Sequence, residues 1–209
     1  MNPTSYQNRV YVSIECNFLF FPETPELEVA VLIASEAFGQ PITPELRTDV
    51  FERLARKDLI FSIVEKSKGE LIGFATFMVF GDTLYLDGIV IRPEYHKRGL
   101  SKQTIQLARK QTSTDWLVLC TQSVRMWSAG RKVTSTWYPL PNKMNDTELE
   151  QKARSLMVTL GMKDLVDKGF YGGKLYDQKP THRNIALQSW WDTICSFERG
   201  DAVLCLGRF

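Results

Sequence analysis

"LYLDGIVIRPEYHKRGLSKQTIQLARK", residues 84–110, holds the transition on which the fold turns. Through Ile91 it is apolar, with Tyr85, Asp87, Ile89 and Ile91 on one alternating face, the pattern of a strand. Arg92-Pro93 ends that strand. From about Leu100 the residues Leu100, Thr104, Leu107 and Ala108 share one face of a helix. Asp87-Gly88 is also a hairpin signal, but a turn there would leave arms too short for a usual strand. Gly88 is therefore expected to mark a bulge or a close backbone approach inside one longer strand over 83–91.

Upstream, "RVYVSIECNFLFF" (9–21) reads as a first strand, rich in β-branched and aromatic residues. Two helices follow. The first, over 24–39, ends at Gly39; the second, over 43–58, has Thr43 as cap and Pro44 in its first turn. "LIFSIVEK" (59–66) and "ELIGFATFMVF" (70–80), joined by a tight turn, predict an antiparallel pair.

Downstream, "DWLVLCT" (115–121) is a continuous apolar run, which suits a central strand reached from residues 83–91 by a right-handed parallel crossover. Residues 123–146 are expected to begin with a short helix and then loop through two prolines. A helix over 147–161 has Thr147 and Glu150 as a capping box and Gly161 at its end. "KGFYGGKLYD" (168–177) and "DAVLCLGRF" (201–209) read as final strands around a helix at 184–197. The expectation is a single domain over 1–209, an α/β fold around a mixed, mostly antiparallel sheet, with an insertion at about 123–146 and a C-terminal helix-plus-strand extension.

With 209 residues, 44% hydrophobic and 24% charged, the chain can bury a real core. A formal charge of +2 gives no general case for nucleic acid or a membrane surface. No apolar run approaches a spanning length and no cleavable leader is evident, so a cytoplasmic location is expected. Cys16, Cys120, Cys195 and Cys205 are scattered among apolar neighbours, which predicts buried free thiols, no disulfide scaffold and no metal site.

At residues 96–102, "HKRGLSK", amides of a glycine-containing turn and of a helix start lack intrahelical partners, and the helix dipole adds positive charge. Such a point attracts phosphate. His96, Lys97, Arg98 and Lys102 add to that charge; the same residues also describe an ordinary basic surface turn. Here the sequence resembles the GCN5-related N-acetyltransferases, whose strand 4 to helix 3 motif has Gln or Arg, two residues, Gly, one residue, then Gly or Ala. His96 stands at the first place, Gly99 at the glycine and Ser101 at the Gly/Ala place, so the match is partial. "LDGIVIRPEYHKRGL" (86–100) is similar to the family's strand, proline and loop.

The resemblance implies a family fold with a parallel strand 4 and strand 5 pair around the coenzyme helix, and acetyl-coenzyme A as co-substrate with no metal. It implies that Ile89, Val90 and Ile91 offer main-chain hydrogen bonds to the pantetheine arm. Residues His96, Lys97, Arg98, Gly99, Leu100, Ser101 and Lys102 would hold the pyrophosphate.

Acetyl transfer to an amine needs a route for the amine proton and a proton for the departing thiolate. Asp87, a carboxylate in an apolar strand, is the candidate base; it reads equally as a structural Asp bonded to main-chain amides or an arginine. Many family members place a tyrosine eight positions into a segment after strand 5. Counting from Ser123, that position is Gly130, and Tyr138 is the nearest substitute acid, although packing beneath "WYPLP" (137–141) explains it better. Cys120 as a nucleophile is the weakest candidate.

Trp127, Trp137 and Tyr138, beside Arg125, Arg131 and Lys132, read either as a lid over an apolar or flat anionic acceptor or as core with solvated charges. The expected activity is N-acetylation of a small-molecule or peptide amine, without nucleic-acid or membrane partners; a homodimer is compatible. The competing expectation is a non-catalytic acyl-coenzyme A sensor or scaffold.

Overall fold

The computed structural model describes residues 10–12, 16–18, 25–55, 57–141 and 147–209. Contacts divide the chain into two compact units, residues 1–79 with 86–111 and residues 80–85 with 112–209. Helices and a mostly antiparallel sheet give the mixed α/β class that the sequence predicts.

The first unit starts with β1 (Val10–Val12) and β2 (Cys16–Phe18), an antiparallel pair with Val10 opposite Phe18. This replaces the single first strand expected over 9–21. The run carries no glycine or proline to announce a reversal, and residues 9, 13–15 and 19–21 of it lie outside the described residues. Helix α1 (Pro25–Phe38) ends as predicted at Gly39, whose φ of 67° closes a Schellman turn with Gln40 N bonded to Ser35 O at 3.1 Å. Helix α2 (Pro44–Leu54) is capped by the Thr43 side chain, which accepts from Leu46 N at 3.2 Å. It stops four residues before the predicted end at Asp58, because Ala55 is extended.

Strands β3 (Leu59–Glu65) and β4 (Glu70–Phe80) form the predicted antiparallel pair. Apolar residues of both helices, Ala30, Val31, Ile33, Ala34, Leu46 and Val50, bury against Phe74 and Val90. That packing fixes α1 and α2 on the sheet, since buried apolar area is the main favourable term available to them.

Strand β5 (Thr83–Ile91) runs uninterrupted through Asp87-Gly88, which excludes the hairpin. The close approach expected at Gly88 lies elsewhere. A Cβ at Gly88 would make ordinary contact, 3.5 Å from Thr76 Oγ1, whereas one at Gly73 in β4 would stand 2.6 Å from Val90 O. A short 3₁₀ turn (Pro93–Tyr95) and then α3 (Leu100–Thr112) follow β5.

In the second unit β6 (Trp116–Thr121) is followed by α4 (Val124–Arg131), α5 (Thr147–Thr159), β7 (Val166–Asp167), α6 (Ile185–Ile194) and β8 (Ala202–Arg208). Strand β8 is antiparallel to β6, from Trp116 opposite Arg208 to Thr121 opposite Val203, and pairs on its other side with β7. Thr147, expected as the cap of α5, is already helical, and residues 142–146 before it lie outside the described residues. Gly161 ends α5 as expected, with Met162 N bonded to Met157 O.

The strand predicted over 168–177 does not form. Gly169, Gly172 and Gly173 take φ values of 72°, 68° and 154°, which turns the chain repeatedly. Its alternating aromatics imitate a strand, but the glycines decide the path.

Candidate active site

All the coenzyme residues that the sequence nominates belong to the first unit. Val90 and Ile91 are buried, and Ile89 is half-buried, beside Asp87 at the last stretch of β5. Beyond them the chain turns sharply: Lys97 has φ 65° and Gly99 φ 76°. Left-handed residues alternating with others point successive N–H groups to one side, an arrangement that receives anions.

The first main-chain bond of α3 is Gln103 N to Gly99 O at 3.1 Å. Among the described residues the amides of 97–102 have no acceptor. At Gly99 the turn is open: a Cβ there would find only Gln103 Nε2, 3.9 Å away. Leu100 is buried and anchors the turn, while Lys97, Arg98 and Lys102 are exposed and Ser101 is half-buried. The turn thus carries three exposed cationic side chains around an open glycine. It fits a diphosphate in charge and donor number.

His96 is not part of that set. Its Nε2 lies 2.8 Å from Ile91 O, so the imidazole ties the turn back to the end of β5 and occupies a carbonyl that the resemblance assigns to pantetheine. The Ile91 carbonyl is therefore engaged within the chain; Arg92 N is also taken, by Ile72 O at 2.9 Å.

Tyr95 is a residue that sequence reasoning missed. It is buried, its hydroxyl donates to Glu65 Oε2 at 2.5 Å, and the Arg98 guanidinium stacks 4.7 Å above its ring. The Glu65 carboxylate pushes the Tyr95 phenol up to about 12, and the phenol in turn lowers Glu65. The only sequence signal was an aromatic residue closing a proline turn; its effect is to brace the base of the basic loop.

Asp87 is held by side chains. Its Oδ2 accepts from Lys57 Nζ at 3.0 Å and Thr76 Oγ1 at 3.2 Å, with Arg53 Nη1 at 3.9 Å. Arg53 Nη1 also donates to Asp87 O at 3.1 Å, while its Nε binds Asp49 at 2.9 Å. The end of α2 thereby clamps β5 at Asp87. Nothing in "RLARKD" (53–58) distinguishes Lys57 or Arg53 from a solvated helix face, so only tertiary structure reveals the pairing.

Tyr138 belongs to the second unit. It is buried and bridges to β8 through Tyr138 N to Leu206 O at 2.8 Å and Leu206 N to Tyr138 O at 3.0 Å. Burial pushes its phenol up to about 12, so it keeps its proton throughout the neutral range. Of the two alternatives for the aromatics, the structure supports core: Trp127 and Trp137 are also buried, with Trp127 Nε1 bonded to Pro139 O at 2.9 Å. Arg125 donates to Thr181 O and Arg131 lies over the Trp127 ring. Cys195 and Cys205 are buried free thiols, as expected, while Cys120 is free but half-buried, its Sγ 3.1 Å from Met162 Sδ. No cluster of three or more His, Cys, Asp or Glu able to hold a metal occurs among the described residues. None of the described helices is long and apolar enough to cross a membrane.

Residues 28–123, from α1 to just beyond β6, match the model of the acetyltransferase (GNAT) family. Among solved structures, the IAA acetyltransferase from Bacillus cereus is 12% identical, with a TM-score of 0.51 over 93% of this chain and 98% of that one. A Bacillus subtilis acetyltransferase in complex with CoA is 14% identical, TM-score 0.46, over 93% and 98%. A GNAT family acetyltransferase from Elizabethkingia anophelis with acetyl-CoA bound is 13% identical, TM-score 0.46, over 94% and 99%. At 12% identity the likeness to the first is one of fold. No curated protein sequence matches the chain.

Proposed function

We propose that this chain is an acetyl-CoA-dependent N-acetyltransferase acting by direct attack on an amine of a small molecule or peptide. The observation that carries the reading is the basic turn at 97–102, whose amides have no main-chain acceptor among the described residues and which is open at Gly99. In this reading those amides and Lys97, Arg98 and Lys102 bind the diphosphate, His96 fixes the turn, and Ile89 and Val90 align the pantetheine arm. Asp87 binds the acceptor's ammonium and takes its proton. Tyr138, which keeps its proton at neutral pH, is the candidate donor to the departing thiolate.

A second reading has a specific observation in its favour. Asp87 Oδ2 already accepts from Lys57 and Thr76, as it would in a protein that binds acyl-CoA without turning it over. Calorimetry with acetyl-CoA, followed by a panel of primary amines with release of free thiol as readout, separates the two. Binding with thiol release on any amine supports the enzyme. Binding with no release supports the sensor, and no binding by folded protein near millimolar ligand removes both. Tyr138→Phe with an unchanged rate would take Tyr138 out of the mechanism.

A further inference from the structure

The Asp87 cluster carries a consequence for one lysine of this chain. Lys57 places its ammonium 3.0 Å from the carboxylate proposed to receive an acceptor's ammonium. It is enclosed there: its side chain is 13% exposed, against 63% for Lys68, 29% for Lys152, 48% for Lys174 and 41% for Lys179, the other ion-paired lysines described. Its backbone is fixed from one side, because Asp58 N bonds to Phe77 O at 3.1 Å and Asp58 Oδ2 accepts from Val79 N at 2.7 Å. On the other side α2 has ended at Leu54. The amine is thus held beside the carboxylate on an anchored stem.

Ile89 follows Asp87 on the same face of β5, roughly 7 Å along the strand. In the function proposed above, the acyl group is carried at that end of the pantetheine arm, on the Asp87 side to which Lys57 is bound. We propose that Lys57 is an acyl acceptor, so that the protein acetylates its own Lys57 from acetyl-CoA; this rests on the coenzyme-binding function proposed above.

The step balances without any further reagent. The Lys57 ammonium gives one proton to the Asp87 carboxylate, and its freed electron pair forms the N–C bond to the thioester carbon. The C–S bond breaks, the thiolate leaves with the electron pair, and it takes the second nitrogen proton to become the free thiol. Asp87 then returns its proton to water. Lys57 becomes a neutral amide, and Asp87 keeps Thr76 and Arg53 as neighbours.

Enclosure makes the test sharp. Unassisted acetylation in solution favours exposed lysines such as Lys97 and Lys102, whereas transfer from bound coenzyme favours Lys57. The full chain is incubated with acetyl-CoA, acetyl occupancy of each lysine peptide is followed by mass spectrometry, and acetyl-CoA binding is measured on the same samples by calorimetry. The expected result is acetylation of Lys57 at least about tenfold faster than of Lys97, through proximity alone. Gly99→Asp and Asp87→Asn should each bring Lys57 down to the background rate, and Lys57→Arg should remove the peptide's modification. Binding with Lys57 no faster than Lys97 overturns the inference and leaves the proposed function standing. Absence of binding overturns both, and Lys57 modification that persists in Gly99→Asp assigns it to solution chemistry and overturns the inference.

Discussion

The indole of Trp137 lies across Gly130, so that a Cβ at residue 130 would stand 2.3 Å from Trp137 Cη2 and 2.7 Å from Cζ2. Gly130 is in α4, at the position where the family resemblance expects a tyrosine. No side chain fits there, which explains in packing terms why this chain has none.

Gly130→Ala therefore has an unusual sign. In an exposed helix interior the change would gain about 1 kcal/mol. Here Trp137 is 4% exposed and is also wedged against Gly207, where a Cβ would stand 2.6 Å from Cε3, so it has no room to yield. Overpacking costs about 1–3 kcal/mol, and a net loss of about 1 kcal/mol is expected in urea unfolding. A stabilised variant would show that the indole moves freely.

Two glycines of the first unit separate close approach from mere smallness. Gly73→Ala forces a methyl to within 2.6 Å of Val90 O and 3.1 Å of Ile91 Cα, and main chain cannot step aside cheaply. It should cost about 2–3 kcal/mol and weaken acetyl-CoA binding, because the displaced residues are those proposed to align the coenzyme arm. Gly88→Ala meets Thr76 Oγ1 at 3.5 Å, an ordinary contact, and should stay within about 0.5 kcal/mol of wild type. Thermal or urea unfolding of the pair checks the contrast; equal effects would remove the distinction.

Those glycines also mark how far the sequence could be read. Elements whose signals are local were legible: Thr43 capping α2, Gly39 and Gly161 closing helices, and the strand-to-helix turn at 92–100. What failed was set at a distance. Gly73 and not Gly88 meets backbone because of which strand lies opposite, and Arg53 at the end of α2 reaches Asp87 across 34 positions, with Lys57 just beyond the helix beside it. The false strand at 168–177 belongs to the same class. Besides the turns at its own glycines, it packs on Gly200, where a Cβ would lie 2.0 Å from Gly173 O, an approach that no period-two pattern encodes.

Asp201 gives the second unit a pH-dependent fastening. Its carboxylate is fully buried, which alone would raise it, yet Arg199 and the amides of Ser196 and Gly169 outweigh burial and hold it below the ordinary carboxylate value. Arg199 Nη2 lies at 2.6 Å, Ser196 N at 2.9 Å and Gly169 N at 3.0 Å. A depressed folded value means stability that is present above the unfolded value of about 3.9 and lost as pH falls through the folded one. Asp201→Ala should cost about 2–4 kcal/mol at neutral pH, since it strips several donors of their acceptor. Urea unfolding should show the gap between wild type and variant closing as pH drops below about 4. A gap independent of pH would mean that the charge on Asp201 contributes nothing.

Gly99 tests the coenzyme turn with two substitutions of different kinds. Its φ of 76° makes any side chain strained by about 1–2 kcal/mol, but a Cβ has open space, with Gln103 Nε2 3.9 Å away. Gly99→Ala should therefore remain folded and lose a modest part of its acetyl-CoA affinity, because the methyl stands beside the amides. Gly99→Asp has the same backbone strain and adds a negative charge where the diphosphate is proposed to sit. Its affinity should fall at least about a hundredfold, or about 2.7 kcal/mol, in calorimetry at low salt. The difference between the two variants should narrow as salt rises, since the exposed carboxylate is screened. If both variants bind as wild type does, the amides of 97–102 are not where the diphosphate is held.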